Sequence, residues 1–150
     1  MAGTFTKIYY HIVFSTKGRE QLISPQIEDE LYKYITGIIS SEEGFVYAIG
    51  GTSDHLHILC SFSCKKSISE MLQRIKGHSS KWMNSKQGNG KLFKWQSGYG
   101  LFTVSHSQID QVKKYVANQH IHHKTMSFKD ELRILLNKHE VEFDEKYIWQ

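Results

Sequence analysis

The chain has 150 residues, of which 39% are hydrophobic and 13% aromatic, and its formal net charge is +4. This length fits one domain over residues 1–150, and the single proline argues against long disordered linkers. The sequence contains neither an apolar stretch of membrane-spanning length nor a signal-peptide pattern, and its two cysteines do not make a disulfide framework. We therefore expect a cytoplasmic protein with no membrane association.

The first part of the chain predicts a strand, a helix and a pair of strands. Residues 5–16 are rich in β-branched and aromatic side chains, which favours a strand. Ser24 and Pro25 provide an N-cap and a first-turn proline for a helix that extends to about residue 41. Two further strands are predicted over residues 45–49 and 55–62, and the glycine-containing turn between them indicates a hairpin.

The second part predicts another helix, a strand and two more helices. Ser67 and Glu70 form a capping box ahead of a helix whose apolar face continues to Met83. A turn at residues 87–90 then leads to a strand over residues 101–104. Two amphipathic helices, over residues 109–122 and from Ser127 onward, come next, and the tail carries apolar side chains that are expected to pack.

This order of elements, βαββαβ followed by helices, predicts an α+β fold of the ferredoxin-like type. The antiparallel, RRM-like sheet would carry two helices on one face, with a further helix bearing Tyr115 and a helical tail beyond it. We expect the opposite face of the sheet to be free for ligands or partners.

Positive charge is concentrated between residues 65 and 94, which hold eight Lys or Arg residues and one acid, Glu70. Aromatic side chains lie among these charges, a combination that suits unpaired bases and their phosphates. The alternative is a solvated helix face beside core aromatics. The residues predicted to contact DNA are Lys65, Lys66, Arg74, Lys76, His78, Lys81 and Trp82.

His55 and His57 flank one apolar residue in the third predicted strand. Side chains alternate along a strand, so the two imidazoles point the same way and can supply two ligands to one metal ion. A zinc site made by these histidines with Cys60 and Cys64 is an alternative. It is disfavoured because, on a regular strand, Cys60 falls on the face opposite to the two histidines.

Tyr115 and Gln119 are four residues apart, so they share one face of a predicted helix. Gln119 offers an amide oxygen as a ligand for a hard divalent ion, and Tyr115 offers a phenol as a nucleophile. With His55 and His57 they would form a metal-bound phosphoryl-transfer site, in which a nearby cation favours the phenolate.

Four segments carry a resemblance to a known family, and they occur in this order: YHIVFSTK at residues 10–17, DHLH at 54–57, LQRIKGHSSKW at 72–82 and YVANQ at 115–119. Together they resemble the HUH, one-tyrosine transposases of the insertion-sequence 200/605 type. The resemblance covers nearly the whole chain. The chain departs from the family pattern before the tyrosine helix, where residues 104–108 lack the glycines of the family's hinge.

This resemblance implies Mg²⁺ or Mn²⁺ held by His55, His57 and Gln119, with Tyr115 as the nucleophile. It implies cleavage of single-stranded DNA at hairpin-bearing element ends, which leaves a 5′-phosphotyrosine and a free 3′-hydroxyl. It also implies a homodimer in which the tyrosine helix of one subunit completes the partner's site, acting in a bacterial-type cytoplasm beside the nucleoid.

Two other functions remain open, a domesticated HUH nickase and a catalytically silent RRM-like nucleic-acid-binding module. The silent module would carry aromatic side chains where His55 and His57 stand. Among the remaining polar residues, Asp54 is expected to orient a histidine or shape the turn, and His11 to be structural. His122 is a weak candidate ligand, because histidines at helix ends more often interact with the helix dipole.

Overall fold

A computed structural model describes residues 3–86 and 90–149, and its strands and helices follow the predicted order. The turn predicted at residues 87–90 lies largely outside this described part. The four strands are β1 (Tyr9–Ser15), β2 (Phe45–Gly51), β3 (His55–Ser61) and β4 (Gly100–Val104). The five helices are α1 (Pro25–Ser41), α2 (Ile68–Lys86), α3 (Ile109–Ala117), α4 (Gln119–His122) and α5 (Phe128–Lys138).

The strands form one antiparallel sheet in the order β2-β3-β1-β4, which confirms the predicted ferredoxin-like fold. β2 and β3 make the predicted hairpin, although β2 runs on to Gly51, so that Gly50 and Gly51 belong to the strand and not to the turn. On β1, Val13 lies opposite His57, and this pairing places the first strand beside the histidine-bearing strand at the centre of the sheet.

One face of the sheet packs against α1 and α2 and forms the main core. Alternate residues of β3 point into it, among them Leu56, Ile58 and Cys60, and each is fully buried. Leu31 of α1 and Leu72 of α2 meet them from the helical layer. The alternation leaves His55 and His57 on the other face, as the strand pattern predicts.

That other face is not free, and here the prediction from sequence is wrong. It carries a second apolar cluster made by the sheet and α5, comprising Val13, Phe102, Phe128, Leu132, Leu135 and Leu136. Because α5 is amphipathic, its apolar side needs a partner, and the apolar positions of β1 and β4 provide one. α3 also packs on this face, against β2 and β3.

Gly50 allows the close approach of α3 to β2. A Cβ at this position would lie 2.2 Å from the main-chain oxygen of Val116, a distance that no side chain tolerates. The absence of a side chain at Gly50 therefore sets how near the helix that carries Tyr115 comes to the sheet.

The helix predicted over residues 109–122 is divided at Asn118, which has non-helical backbone angles. Tyr115 lies at the end of α3 and Gln119 at the start of α4, yet the Gln119 side-chain amide donates to the Tyr115 carbonyl at 3.1 Å. The two side chains therefore keep the common orientation expected of residues four apart, even though the helix does not run through.

The two ends of the described chain differ in how they pack. Phe5 lies before β1 and is 94% exposed, so the first strand starts later than predicted. Ile148 and Trp149 pack against the second cluster, and the Arg19 side chain donates to the Trp149 carbonyl at 3.3 Å. The expected packing of the tail is thus confirmed.

Within the described ranges, no helix has the length and apolar character to span a membrane.

Candidate metal and tyrosine site

Three elements bring polar side chains to one point beneath the second apolar cluster. β3 supplies His55 and His57, the junction of α3 and α4 supplies Tyr115 and Gln119, and α5 supplies Glu131. All of these residues except Tyr115 are buried, with at most 1% of their surface exposed. They lie around the Glu131 carboxylate, which is therefore the centre of the site.

His57 bonds at both of its ring nitrogens. Its Nε2 lies 2.8 Å from Oε1 of Glu131, and its Nδ1 lies 2.8 Å from Nε2 of His11. A carboxylate accepts, so Nε2 of a neutral His57 carries the proton and Nδ1 accepts one from His11. Burial lowers the pKa of His57 to about 4 and that of His11 to about 3, which keeps both rings neutral. His11 thus orients His57 and fits the expected structural role.

The two ring nitrogens of His55 face Asp54 and Gln119. Its Nδ1 is 2.7 Å from Oδ1 of Asp54, which orients the ring as expected, and its Nε2 is 3.0 Å from Oε1 of Gln119. The Gln119 amide nitrogen donates to Tyr115, so it is the oxygen that faces the ring. If Nδ1 of a neutral His55 carries the proton, two acceptors meet at 3.0 Å. A proton or a metal cation between them removes this repulsion.

Tyr115 is held by the same carboxylate, because its hydroxyl donates to Oε2 of Glu131. Burial and this carboxylate raise the pKa of the Tyr115 phenol above its ordinary value. Burial alone would also raise the pKa of Glu131, but its contacts with His123 and His57 hold it well below the usual range. The phenol is therefore protonated in this arrangement, and Glu131 is ionised.

The donor atoms of this site fit a divalent cation. His55, His57, His123 and Glu131 each offer one ligand atom, and these atoms all lie within 4.8 Å of one another. Imidazole nitrogen and carboxylate oxygen are ligands that Mn²⁺ and similar ions accept. Nε2 of His123 and Nε2 of His122 lie 3.0 Å and 3.3 Å from the Glu131 carboxylate, and neither meets hydrogen-bond geometry in the described part of the chain, so both rings offer further ligand atoms.

The structure brings together all four residues predicted for this site, namely Tyr115, His55, His57 and Gln119, within a single chain. Neither Glu131 nor His123 was predicted from the sequence as part of this site. A signal for Glu131 existed, because it is four residues before Leu135 and so lies on the apolar face of α5. An acid on the buried side of an amphipathic helix indicates a partner across the interface.

Several of the predicted DNA-contact residues are paired within the chain. Lys66 and Arg74 both contact Glu42 at the C-terminal end of α1, at 3.3 Å and 3.1 Å, and Lys65 contacts Glu43 at 3.3 Å. These ion pairs are at the surface, where each contributes little to stability. They reduce the positive charge at one end of the basic segment, so DNA contact by these residues stays a prediction.

Lys76 and the aromatic residues of the basic segment also have partners. The Lys76 ammonium donates to three successive carbonyls over residues 96–98, at 2.6, 3.2 and 2.8 Å, and burial lowers its pKa to about 8. Trp82 stacks on Tyr34 with ring centroids 5.1 Å apart. Phe93 and Trp95 belong to the main core, because β1 and α2 need apolar cover there. These two rings are therefore closed to base stacking.

His78 and Lys81 remain exposed on the outer face of α2. They line a shallow groove with Arg74, Gln73, Gly77 and one acid, Glu70. A groove of this kind, open to solvent and lined by basic side chains, suits a phosphate backbone.

Comparison with known proteins adds a family and a fold. The model of the family described as Transposase IS200 like matches residues 4–119 of this chain. Among curated proteins, the ISDra2 transposase TnpA of Deinococcus radiodurans is 26% identical over 125 residues, which cover 79% of this chain and 88% of that protein.

Two solved structures are similar to most of the chain. A crystal structure of a Deinococcus radiodurans R1 protein assigned as a transposase has a TM-score of 0.63 and 26% identity, and covers 79% of this chain and 95% of that one. A REP-associated tyrosine transposase bound to a REP hairpin has a TM-score of 0.56, with 77% of this chain and 70% of that one covered. Its 11% identity supports likeness of fold alone.

The buried histidine pair predicts acid sensitivity of the metal-free protein. In the unfolded chain, imidazoles take up protons near their ordinary pKa of 6.5, whereas folded His57 and His11 do so only near about 4 and about 3. Between these folded and unfolded pKa values, the unfolded state binds more protons than the folded state. The free energy of unfolding should therefore fall as the pH drops from about 6.5 to about 4.

Urea unfolding with a chelator present, repeated across this pH range, measures the effect. His11→Gln should reduce the slope because it removes one of the two depressed groups. His78→Gln, which changes an exposed ring on α2, should leave the slope as it is. A free energy of unfolding that stays flat between pH 6.5 and 4 would contradict this account.

Proposed function

The chain belongs to the IS200-like transposase family, and we propose that it cleaves and rejoins single-stranded DNA through a covalent bond between DNA and Tyr115. Membership confirms the resemblance found in the sequence and makes the chain a transposase. The proposal adds the chemistry: a metal-dependent reaction at hairpin-bearing element ends, by way of a 5′-phosphotyrosine.

The observation that carries the proposal is the meeting of Tyr115 with His57, one of the two histidines of β3. The Tyr115 and His57 rings have centroids 5.5 Å apart, and one carboxylate, that of Glu131, contacts the phenol and His57 together. The half-buried Tyr115 phenol, the imidazoles of His55 and His57 and the amide oxygen of Gln119 form one group of side chains. It is the set of groups that phosphoryl transfer by a tyrosine requires.

The proposed step is a transesterification at one DNA phosphate. The Tyr115 hydroxyl loses its proton, and its oxygen forms a bond to phosphorus. The bond from phosphorus to the 3′ oxygen breaks, and that oxygen takes a proton to become a free 3′-hydroxyl. Because one phosphate ester replaces another, the reverse attack by a 3′-hydroxyl rejoins strands without ATP.

His55, His57 and Gln119 would hold the divalent ion, Mg²⁺ or Mn²⁺. When bound, such an ion polarises the phosphate and stabilises the departing oxygen. Two hydrogen bonds within the chain orient the proposed histidine ligands. Asp54 holds the His55 ring so that Nε2 faces the site. When Nε2 of His57 is a metal ligand, Nδ1 of His57 can donate a hydrogen bond to His11.

Access to the site requires a movement of α5. His55 and His57 are fully buried beneath Glu131 and the apolar residues of that helix, so no phosphate can reach them in this arrangement. Tyr115 is only half-buried and borders a cavity between β4, α3 and α5, which Lys138 and His139 also line. This cavity is where the DNA strand would enter as α5 withdraws.

The substrate we propose is a single strand with a hairpin. A relative of the same fold has been solved with a REP hairpin bound, which supports this class of substrate here. The exposed basic groove of α2, with Arg74, His78 and Lys81, provides a surface for its backbone. A cytoplasmic site of action beside the nucleoid stays a prediction.

A homodimer with exchanged tyrosine helices is the proposed assembly. In this structure α3 packs beside the histidines of the same chain. The segment before α3 would have to move for an exchange, and it is held by a hydrogen bond between the Tyr9 hydroxyl and Nδ1 of His106, at 2.9 Å. Exchange therefore requires that contact to break and residues 105–108 to extend without the help of a glycine.

Tyr115→Phe should abolish the covalent adduct formed when the protein is mixed with Mn²⁺ and a labelled single-stranded hairpin oligonucleotide. The phenylalanine keeps the ring but lacks the oxygen that bonds phosphorus. Denaturing gels detect the adduct, and Tyr147→Phe, which alters an exposed tyrosine, should still form it. An adduct that persists in Tyr115→Phe would exclude this nucleophile. DNA binding without an adduct in the unaltered protein would favour the silent binding module.

Mixing His57→Ala chains with Tyr115→Phe chains should restore the adduct if the sites form in trans. One composite site then contains an intact histidine pair and an intact tyrosine, and the label appears on the His57→Ala chain. A size tag on one chain identifies which is labelled. No adduct in the mixture, with each variant folded and the unaltered protein active, would mean that each tyrosine serves its own subunit.

Lys81→Ala should weaken binding of the same oligonucleotide without sequence preference. Loss of one phosphate contact lowers the slope of log affinity against log salt concentration by about 0.7 for a single strand. Fluorescence anisotropy over a salt series measures this slope. Lys33→Ala, which removes an exposed lysine from α1, is the matched control and should leave the slope unaltered. Equal slopes for the unaltered and Lys81→Ala proteins would remove Lys81 from the DNA surface.

A further inference from the structure

We propose that the carboxylate of Glu131, supplied by α5, is a ligand of the divalent cation together with His55 and His57 in the DNA-free protein. This inference rests on the proposed function of the site. It adds a ligand from outside residues 4–119, the part of the chain that matches the family.

The position of one oxygen atom carries the inference. Oε1 of Glu131 lies 2.8 Å from Nε2 of His57, 3.0 Å from Nε2 of His123 and 3.5 Å from Nε2 of His55. Ligand atoms around an ion at about 2.1 Å are separated by roughly 3.0 Å in an octahedron and roughly 3.4 Å in a tetrahedron. The three distances from Oε1 are therefore those expected between neighbouring ligands of one ion, and the four ligand atoms all lie within 4.8 Å of one another.

The chemistry of the set agrees with this spacing. Two imidazoles and one carboxylate form the donor combination that holds divalent ions such as iron and manganese while leaving positions open for substrate. Gln119 adds a neutral oxygen, 3.0 Å from Nε2 of His55. Without Glu131 the proposed ligands are all uncharged, so the carboxylate supplies the one negative charge in the set.

Burial of Glu131 gives a second, independent reason. Its side chain is almost fully buried, and an ionised carboxylate in such a place needs compensating positive charge. In the DNA-free protein this charge is either protons on the surrounding histidines or a cation. A divalent cation held by the carboxylate would supply this charge without a proton on any of the histidines.

The opposing interpretation is that Glu131 only blocks the site. In that case its carboxylate would occupy the position of the ion, and its removal would leave metal affinity unchanged or make it tighter. The two interpretations thus predict opposite effects on binding of the metal alone, without DNA and without any measurement of activity.

The test is titration of the full chain with Mn²⁺, followed by calorimetry and by the loss of the free Mn²⁺ paramagnetic resonance signal. Glu131→Gln, which removes the charge but keeps the size, should raise the dissociation constant roughly tenfold or more. Asp130→Asn is the matched control, since it removes the same charge from the exposed neighbouring position of α5 and should alter the constant less than twofold.

Each outcome decides one of the proposals. An unchanged or lower dissociation constant in Glu131→Gln overturns the role of Glu131, while loss of binding in His57→Ala would leave the proposed function standing. Absence of Mn²⁺ binding by the unaltered protein would instead overturn the metal dependence itself. If thermal unfolding shows that Glu131→Gln does not fold, Glu131→Asp replaces it. Its carboxylate is shorter by one methylene and should likewise weaken binding, and an unchanged affinity overturns the inference.

Discussion

A buried carboxylate that must be neutralised is the constraint on which the polar side of this molecule depends. Glu131 enters the sheet face on an otherwise apolar side of α5, and it can stay there only because His57, His123 and Tyr115 meet it. The same contacts raise the pKa of the phenol and keep His57 facing inward. One acid therefore joins the C-terminal helix, the tyrosine helix and the histidine strand.

The architecture separates a half that can stay closed from a half that would have to open for the proposed reaction. The side of the sheet that faces α1 and α2 is filled by aliphatic residues such as Ile58 and Leu72, and nothing in the proposed reaction requires it to open. The other side is closed by α5 over fully buried histidines, so access for DNA depends on one helix. The apolar contacts of Leu132 and Leu135 set the cost of that opening, together with the Glu131 contacts.

The basic segment shows why charge in a sequence overstates the surface available to DNA. Lys76 uses its ammonium to hold the carbonyls of residues 96–98, and Arg74 and Lys66 share Glu42. His78 and Lys81, which line a groove on the outer face of α2, have no ion pair within the described part of the chain. Affinity for a polyanion should therefore come from fewer groups than the count of lysines and arginines indicates.

The sequence by itself determined the local geometry of the site. Period-two alternation placed His55 and His57 on one face, spacing by four placed Tyr115 with Gln119, and the order of elements gave the sheet. Only the tertiary structure decided that α5 covers this face and that Glu131 meets His57, a contact across 74 positions of the chain. Local rules follow from backbone geometry within a few residues. The pairing of distant elements depends instead on which apolar surfaces fit, and no spacing in the sequence records that fit.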